Sequence, residues 1–400
     1  MNVLFVASRF PWPPIRGDSH RAYHQMRMLS QRHRITLLAP APAKPDSLRQ
    51  VAPFCERIVT LATAPLKRAL RAAASLTNEY PLQTNYWFDP RFSEAGRRLV
   101  EGESFDLAHV QLVRMAPIAQ ALNGLPKAVD LIDALSLNFA RRAKRGARIL
   151  RPLWRLEAAR LAAYERRVLD IYDRGIVVAA ADRVAIGPRD NLHVVPNGVD
   201  ARAIAFRREG RDRALIVMSG RMGYAPNAEG ATWFAREVMP LIAREAPHAR
   251  FMIVGADPPA SVRRLGGHAV QVTGAVPSVS PYLHRAAVAV APLLSGAGMQ
   301  NKVLEAMAAG APVVATPIAA AGLSAAVAGE HLLVAREADE FARHVLSLLS
   351  DQRLATALAV NARRLVEEHY TWERSVDELE RIYRLALQTH RGRRRVAAEF

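Results

Sequence analysis

The chain has 400 residues, 50% of them hydrophobic and 23% charged, with one cysteine and a formal net charge of +18. That length exceeds a single typical core and implies two domains, and the composition excludes a disordered or fibrous chain. One cysteine excludes an intramolecular disulfide and fits a reducing cytoplasm, with Cys55 expected as a small buried residue and not a nucleophile.

The opening MNVLFVASRF reads as a first strand, its apolar run being too short for a signal peptide. No stretch approaches the ~18 apolar residues that span a bilayer. The positive charge calls for an anionic partner. No aromatic RNA-binding motif, zinc spacing or compact helix-turn-helix singles out nucleic acid, which leaves an anionic membrane surface. High-GC coding bias also inflates Arg.

Val3 to Ala7 forms a strand, Ser8 to Ser19 a Pro-rich loop, His20 to Ser30 a helix and Ile35 to Ala39 a second strand. This strand–loop–helix–strand unit belongs to a doubly wound α/β sheet. Its first turn, SRFPWPPIRGD, lacks the GxGxxG of a dinucleotide site, which argues against NAD. Further strands are expected at Cys55 to Leu61, Phe105 to Gln111 and Lys127 to Ile132. A basic amphipathic helix is expected at Leu66 to Leu76. His109 follows alternating apolar residues, and two readings stay open: a satisfied core histidine or a ligand-site group. Asp133 ends a strand, where ligands gather in open parallel sheets.

Phe139 to Leu169 reads as helix, with breaks at Gly146 and Pro152. It interleaves Arg148, Arg151 and Arg155 with Ile149, Leu150, Leu153, Trp154 and Leu156, a pattern that suits either an interfacial helix or one packed on the sheet. Strands follow at Ile176 to Ala179 and Leu192 to Val195, then the turn PNGVD. The charged stretch Arg207 to Arg213 reads as a linker. Beyond it lie strands at Leu215 to Met218, Arg250 to Gly255, Val270 to Gly274, Val288 to Ala291 and Val313 to Ala315. Helices close the chain, the last from Thr371, a plausible cap, to Leu387.

The most informative stretch is Ser295 to Thr316, SGAGMQNKVLEAMAAGAPVVAT. Gly296 and Gly298 permit a left-handed backbone and close ligand approach. NKVLEAMAA is made largely of good helix formers, Gly310 fits the position past the helix end, and Pro312 follows. A Gly-rich loop entering a helix N-terminus offers free N–H groups to phosphate. Lys302 in that first turn, one of five lysines in the chain, reads as a phosphate ligand or a surface lysine. Glu305, one turn on, reads as an acceptor of ribose hydroxyls or a helix-surface acid.

KVLEAMAAGAPVVAT resembles the carboxyl-terminal signature of the GT-B glycosyltransferases of family 4. Together with PWPPIRGDSHRAYHQMRML it is similar to a subgroup found with bacterial exopolysaccharide and exosortase (PEP-CTERM) gene clusters. The resemblance runs from Val3 to about Leu385. It implies an α/β GT-B fold: two Rossmann-like doubly wound domains facing a cleft, with a C-terminal helix crossing back to the first. The domains are expected at 1–205, joined by the returning helix 373–390, and at 206–372, with 391–400 a disordered basic tail.

The resemblance further implies a glycosyltransferase moving sugar from a nucleotide-diphosphate sugar, with retention, to a growing lipid-linked exopolysaccharide. No cofactor and no metal are expected, and the location is cytoplasmic or peripheral on the inner membrane face. Catalytic roles fall to Arg221, Lys302 and His109. Donor nucleotide binding falls to Glu305, Gly298, Met299, Gln300, Asn301, Gly274 and Val276. Arg16, Gly17, Asp18 and Asp133 form the acceptor and phosphate loop. Two positions depart from the family. Asn227 stands near the place of a second diphosphate-gripping Lys, a role Lys302 is expected to take, and Ala297 stands where the first of two glutamates would contact the transferred sugar. Ala297 motivates an alternative, a non-catalytic sugar-nucleotide scaffold at the membrane; a GT-B sugar-nucleotide epimerase is the other.

Overall fold

The short, aliphatic strand segments are of the kind buried on both faces of a parallel sheet, and they pair that way. The computed structural model describes residues 1–73, 78–145, 148–296 and 298–398. The chain divides into two units, residues 1–195 with 375–400, and residues 196–374.

In unit 1 the strands are β1 Asn2–Val6, β2 Arg34–Pro40, β3 Arg57–Leu61, β4 Leu107–Gln111, β5 Lys127–Ile132, β6 Arg174–Val177 and β7 Leu192–Val194. They form a parallel sheet in the order β3-β2-β1-β4-β5-β6-β7. The strand order turns at β1 and β4, so the loops after those strands meet at the carboxyl edge, where this topology places ligands. Leu4, Val6, Val110, Val129 and Val177 lie in its core. From Ser375 the long helix Trp372–Ala398 belongs to this unit. Arg32 reaches Asp377 at 2.6 Å, His33 reaches Glu380 at 3.0 Å, and the Tyr383 hydroxyl hydrogen-bonds His109 Nδ1 at 2.8 Å. The Thr371 hydroxyl accepts from the Arg374 N–H at 3.3 Å, capping that helix.

In unit 2 the strands are β8 Asp212–Ser219, β9 Arg250–Val254, β10 Val270–Gly274, β11 Ala286–Ala291, β12 Val313–Ala315 and β13 Leu333–Val334, again parallel, in the order β10-β9-β8-β11-β12-β13. Helix Asn301–Ala308 ends as its sequence demands. Gly310 has φ +79°, its N–H donates to Met307 O at 3.1 Å, and the Ala311 N–H donates to Ala306 O at 2.9 Å. This is a Schellman stop. A side chain at Gly310 would stand 2.7 Å from the Arg207 carbonyl.

Three expectations change. The first unit ends at Val195, not at 205, because the turn after it is held in unit 2: the Val199 N–H donates to Tyr370 O at 2.8 Å. The stretch Arg207 to Arg213 is no free linker. Arg211 donates to the carbonyls of Leu283, Ala286, Arg207 and Ala309 at 2.7 to 2.9 Å, and β8 begins at Asp212. The basic tail is helical to Ala398. It is rich in helix-forming Arg and Ala, and Arg393 pairs with the buried Asp173 at 3.3 Å. The helix expected at Leu66 to Leu76 spans Pro65–Ala73. Its end, the break at Gly146 and the position of Ala297 lie outside the described residues.

Candidate functional site

The carboxyl ends of β8, β9, β10 and β11 lie along one edge of the unit 2 sheet, and the loops leaving them carry the residues read from the sequence. Two glycines let these loops cross. A Cβ on Gly255 (φ +150°) would lie 1.9 Å from the Gly220 carbonyl oxygen. A Cβ on Gly220 (φ +143°) would lie 3.0 Å from Asn227 Nδ2 and 3.3 Å from Lys302 Cε. Small residues here make room for the lysine.

Lys302 Nζ donates to Asn227 Oδ1, and Asn227 Nδ2 donates to the Arg221 carbonyl at 2.8 Å. Arg221 Nε in turn donates to Asp257 Oδ2 at 2.8 Å. Asn227 is buried. Asn227 therefore holds Lys302 against the loop that carries Arg221. Enclosure pushes the Lys302 ammonium down to about 8, with Glu305 opposing the shift. Enclosure pushes the Glu305 carboxyl up to about 7, with Lys302 opposing. The half-buried Glu305 side chain accepts no hydrogen bond from the described residues, so neither of its oxygens is taken by a protein donor.

In the Gly-rich loop, Gly296 (φ +129°) and Gly298 (φ +68°) hold the left-handed conformations that the sequence suggested. Met299 and Gln300 are buried, and Gly322 packs so close that a Cβ there would lie 2.7 Å from Met299 Cα. The N–H groups of Gly298 and Met299 donate to no backbone carbonyl among the described residues. Asn301 Oδ1 accepts from Asn197 Nδ2 at 3.0 Å. Gly274 (φ +74°) ends β10, its carbonyl accepting from the Gly255 N–H at 3.2 Å, and Val276 follows, half-buried. Arg221, Lys302, Glu305 and the loop N–H groups thus share one sheet edge. Cations and N–H donors beside an open carboxylate suit a diphosphate and a ribose.

In unit 1 the expected residues separate. Asp18 accepts from Arg9 Nε at 2.6 Å, and its carbonyl accepts from Gln111 Nε2 at 3.1 Å. Asp133 is held by Asn138 Nδ2 at 2.7 Å, and burial raises its pKa. Both belong to the carboxyl edge of the sheet. Arg16 and Gly17 are exposed at the start of helix Gly17–Leu29. A Cβ on Gly17 would meet nothing within 4 Å, so no protein neighbour requires glycine there.

His109 is corrected. It is fully buried in mid-strand, stacked on Phe5 with ring centroids 4.4 Å apart and bonded to Tyr383. Burial lowers its pKa to about 4, leaving it neutral. Beside it the buried pair Arg21–Asp130 closes at 2.6 Å, and Gln25 Nε2 donates to the same Asp130 oxygen at 3.1 Å. His109 is a core residue with no surface exposed to solvent. Half-buried Cys55, its thiol pushed up to about 12, is no nucleophile either.

Sequence reading missed Asp257, the partner of Arg221. Its signal was present: a glycine ending a strand, then an acid two residues on. Among the described residues no three His, Cys, Asp or Glu side chains gather as a metal centre would need, and no helix is long and apolar enough to cross a membrane.

Comparison with known proteins bears on the fold and on the second unit. Residues 213–351 match the family described as "Glycosyl transferases group 1". The structure resembles a sucrose-phosphate synthase from Thermosynechococcus elongatus (TM-score 0.73, 17% identity, 96% of this chain and 98% of that one). It also resembles Anabaena Alr3699/HepE solved with UDP-glucose (TM-score 0.66, 14% identity, 95% and 98%). A Klebsiella pneumoniae protein described as an uncharacterized 44.6 kDa protein in the cps region is 24% identical over 165 residues. That match covers 39% of this chain and 42% of the relative, so this chain spans under half of that protein's length. The fold is GT-B, two Rossmann-like α/β units with the last helix returning to the first, and the family match lies within the second unit.

Proposed function

We propose that this protein is a glycosyltransferase that binds a nucleotide-diphosphate sugar on unit 2 and transfers the sugar to a lipid-linked bacterial exopolysaccharide, with retention and without metal. The observation that carries the reading is the gathering of Arg221, Lys302 and Glu305 at one sheet edge, inside the segment that matches the family. Lys302, Arg221 and the Gly298 and Met299 N–H groups stabilise the charge that develops on the leaving diphosphate. Glu305 takes two ribose hydroxyls. The UDP-glucose seen in HepE makes a uridine donor the first to test. The cps-region relative agrees with an exopolysaccharide setting.

The test is a thermal-shift panel with UDP, GDP, ADP, CMP and dTDP. A ligand that binds only the folded state adds ~2.7 kcal/mol at a hundredfold excess over its dissociation constant. One nucleotide standing out supports the reading, and transfer of labelled sugar into a lipid extract completes it. A nucleotide shift with no transfer would favour the scaffold that Ala297 suggests. Isomerised free nucleotide-sugar would favour the epimerase.

A peripheral position on the inner membrane face fits unit 1. Ile149, Leu150, Leu153 and Leu156 are exposed beside Arg148, Arg151 and Arg155, and Leu66 and Leu70 are exposed beside Lys67. Apolar side chains set among cations suit anionic lipid. Co-sedimentation with anionic but not neutral vesicles is the expected result, and equal binding to both would remove the electrostatic argument.

A further inference from the structure

Three guanidinium groups converge on one indole in unit 1. The guanidinium carbons of Arg9, Arg68 and Arg114 lie 4.2, 4.8 and 5.3 Å from the ring centroid of Trp87. They arrive from three places: the loop after β1, the helix Pro65–Ala73 and the turn after β4. A cation over an indole gains ~0.5–2 kcal/mol. That attraction does not cancel the repulsion among three cations held within about one Debye length (~10 Å) of each other.

The local counter-charge falls short. Arg9 has Asp18 at 2.6 Å. Arg68 donates only to the neutral Thr63 hydroxyl. Arg114 has no hydrogen-bond partner among the described residues, and Asp18 and Asp133 reach it only through their fields. The Nε atoms of Arg68 and Arg114 are buried without an acceptor among those residues. Residues 74–77, near in sequence, read Ala-Ser-Leu-Thr and add no charge. An unsatisfied buried donor costs ~1–3 kcal/mol, so two of them facing one ring make an unusual packing core. They make an ordinary anion site, since guanidinium forks match phosphate oxygens in pairs.

We propose that Arg9, Arg68 and Arg114 around Trp87 form a phosphate subsite of unit 1, separate from the nucleotide site of unit 2, that holds a phosphoryl group of the acceptor. The assignment to the acceptor rests on the glycosyltransferase reading; the anion site itself does not. A donor diphosphate offers the same chemistry, so the test must tell the two sources apart.

The full chain is titrated with inorganic pyrophosphate while tryptophan fluorescence is followed. The titration is run alone and with a saturating amount of whichever nucleotide stands out in the thermal-shift panel. The expected result is a fluorescence change that persists with nucleotide present and disappears in Trp87→Phe. Arg68→Gln and Arg114→Gln should each weaken pyrophosphate binding by about tenfold or more, with calorimetric nucleotide affinity unchanged. Arg68 lies on a helix with mostly exposed neighbours, so its variant keeps the test decisive should Arg114→Gln fail to fold by circular dichroism. A change abolished by saturating nucleotide would assign the anion to the donor and overturn the proposal. So would the lack of any Trp87-dependent change at millimolar pyrophosphate. Loss of nucleotide binding in the wild type, with pyrophosphate binding intact, would overturn the acceptor assignment and leave the anion site standing.

Discussion

Lys302→Met isolates the charge at the donor site. The methionine keeps most of the aliphatic stem that lies over Gly220, where a Cβ would stand 3.3 Å from Lys302 Cε, and deletes only the ammonium. In the free protein that ammonium donates to Asn227 and is enclosed enough to sit at about 8. Losing it therefore removes an enclosed charge and a single hydrogen bond to a neutral amide, and thermal stability should change little. Binding should suffer more. A hydrogen bond to a charged group contributes ~1.5–3 kcal/mol, which is about 10- to 150-fold in dissociation constant for the diphosphate. Isothermal titration calorimetry with the nucleotide from the panel measures it directly. An affinity within twofold of wild type, in a variant that melts normally, would refute the assignment of Lys302 to the diphosphate.

The same pair predicts a pH profile. Diphosphate binding wants Lys302 protonated and ribose binding wants Glu305 ionised, so affinity should peak between about 7 and 8 and fall on both sides, a bell that calorimetry from pH 6 to 9.5 would show or exclude. Glu305→Gln should weaken nucleotide binding by ~1–3 kcal/mol and remove the acid limb of that bell. Gly255→Ala forces a side chain to within 1.9 Å of the Gly220 carbonyl at φ +150°. It should lower unit 2 stability by at least ~2 kcal/mol, seen as a lower denaturant midpoint. Asp130→Asn strands the fully buried Arg21 charge and should cost ~3–5 kcal/mol; an unchanged melting curve would show the pair to be dispensable.

What could be read from the sequence was local. The loop, helix, glycine stop and strand of Ser295 to Thr316 are each specified within a few residues, by backbone freedom at Gly296, Gly298 and Gly310 and by helix formers between them. The structure has all four. The parallel strands announced themselves as short apolar runs, and with them the α/β class. Lys302 and Glu305 were singled out because a Gly-rich loop entering a helix start marks where ligands approach, and Arg221 because of the family resemblance.

What failed was non-local. The alternation around His109 is the same whether the ring faces a ligand or the core. The decision came from Phe5, which faces it across β1 and β4, and from Tyr383, 274 residues further along the chain. The charge of Arg207 to Arg213 resembled a linker until Arg211 found four carbonyls. The Trp87 cluster draws on residues 9, 68, 87 and 114, and no spacing in the chain joins them. A single sequence thus determines this protein's backbone periodicity and the glycines that aim its loops. Burial, charge pairing and the company an arginine keeps depend on which distant segments the sheets bring alongside, and only the tertiary structure decides those.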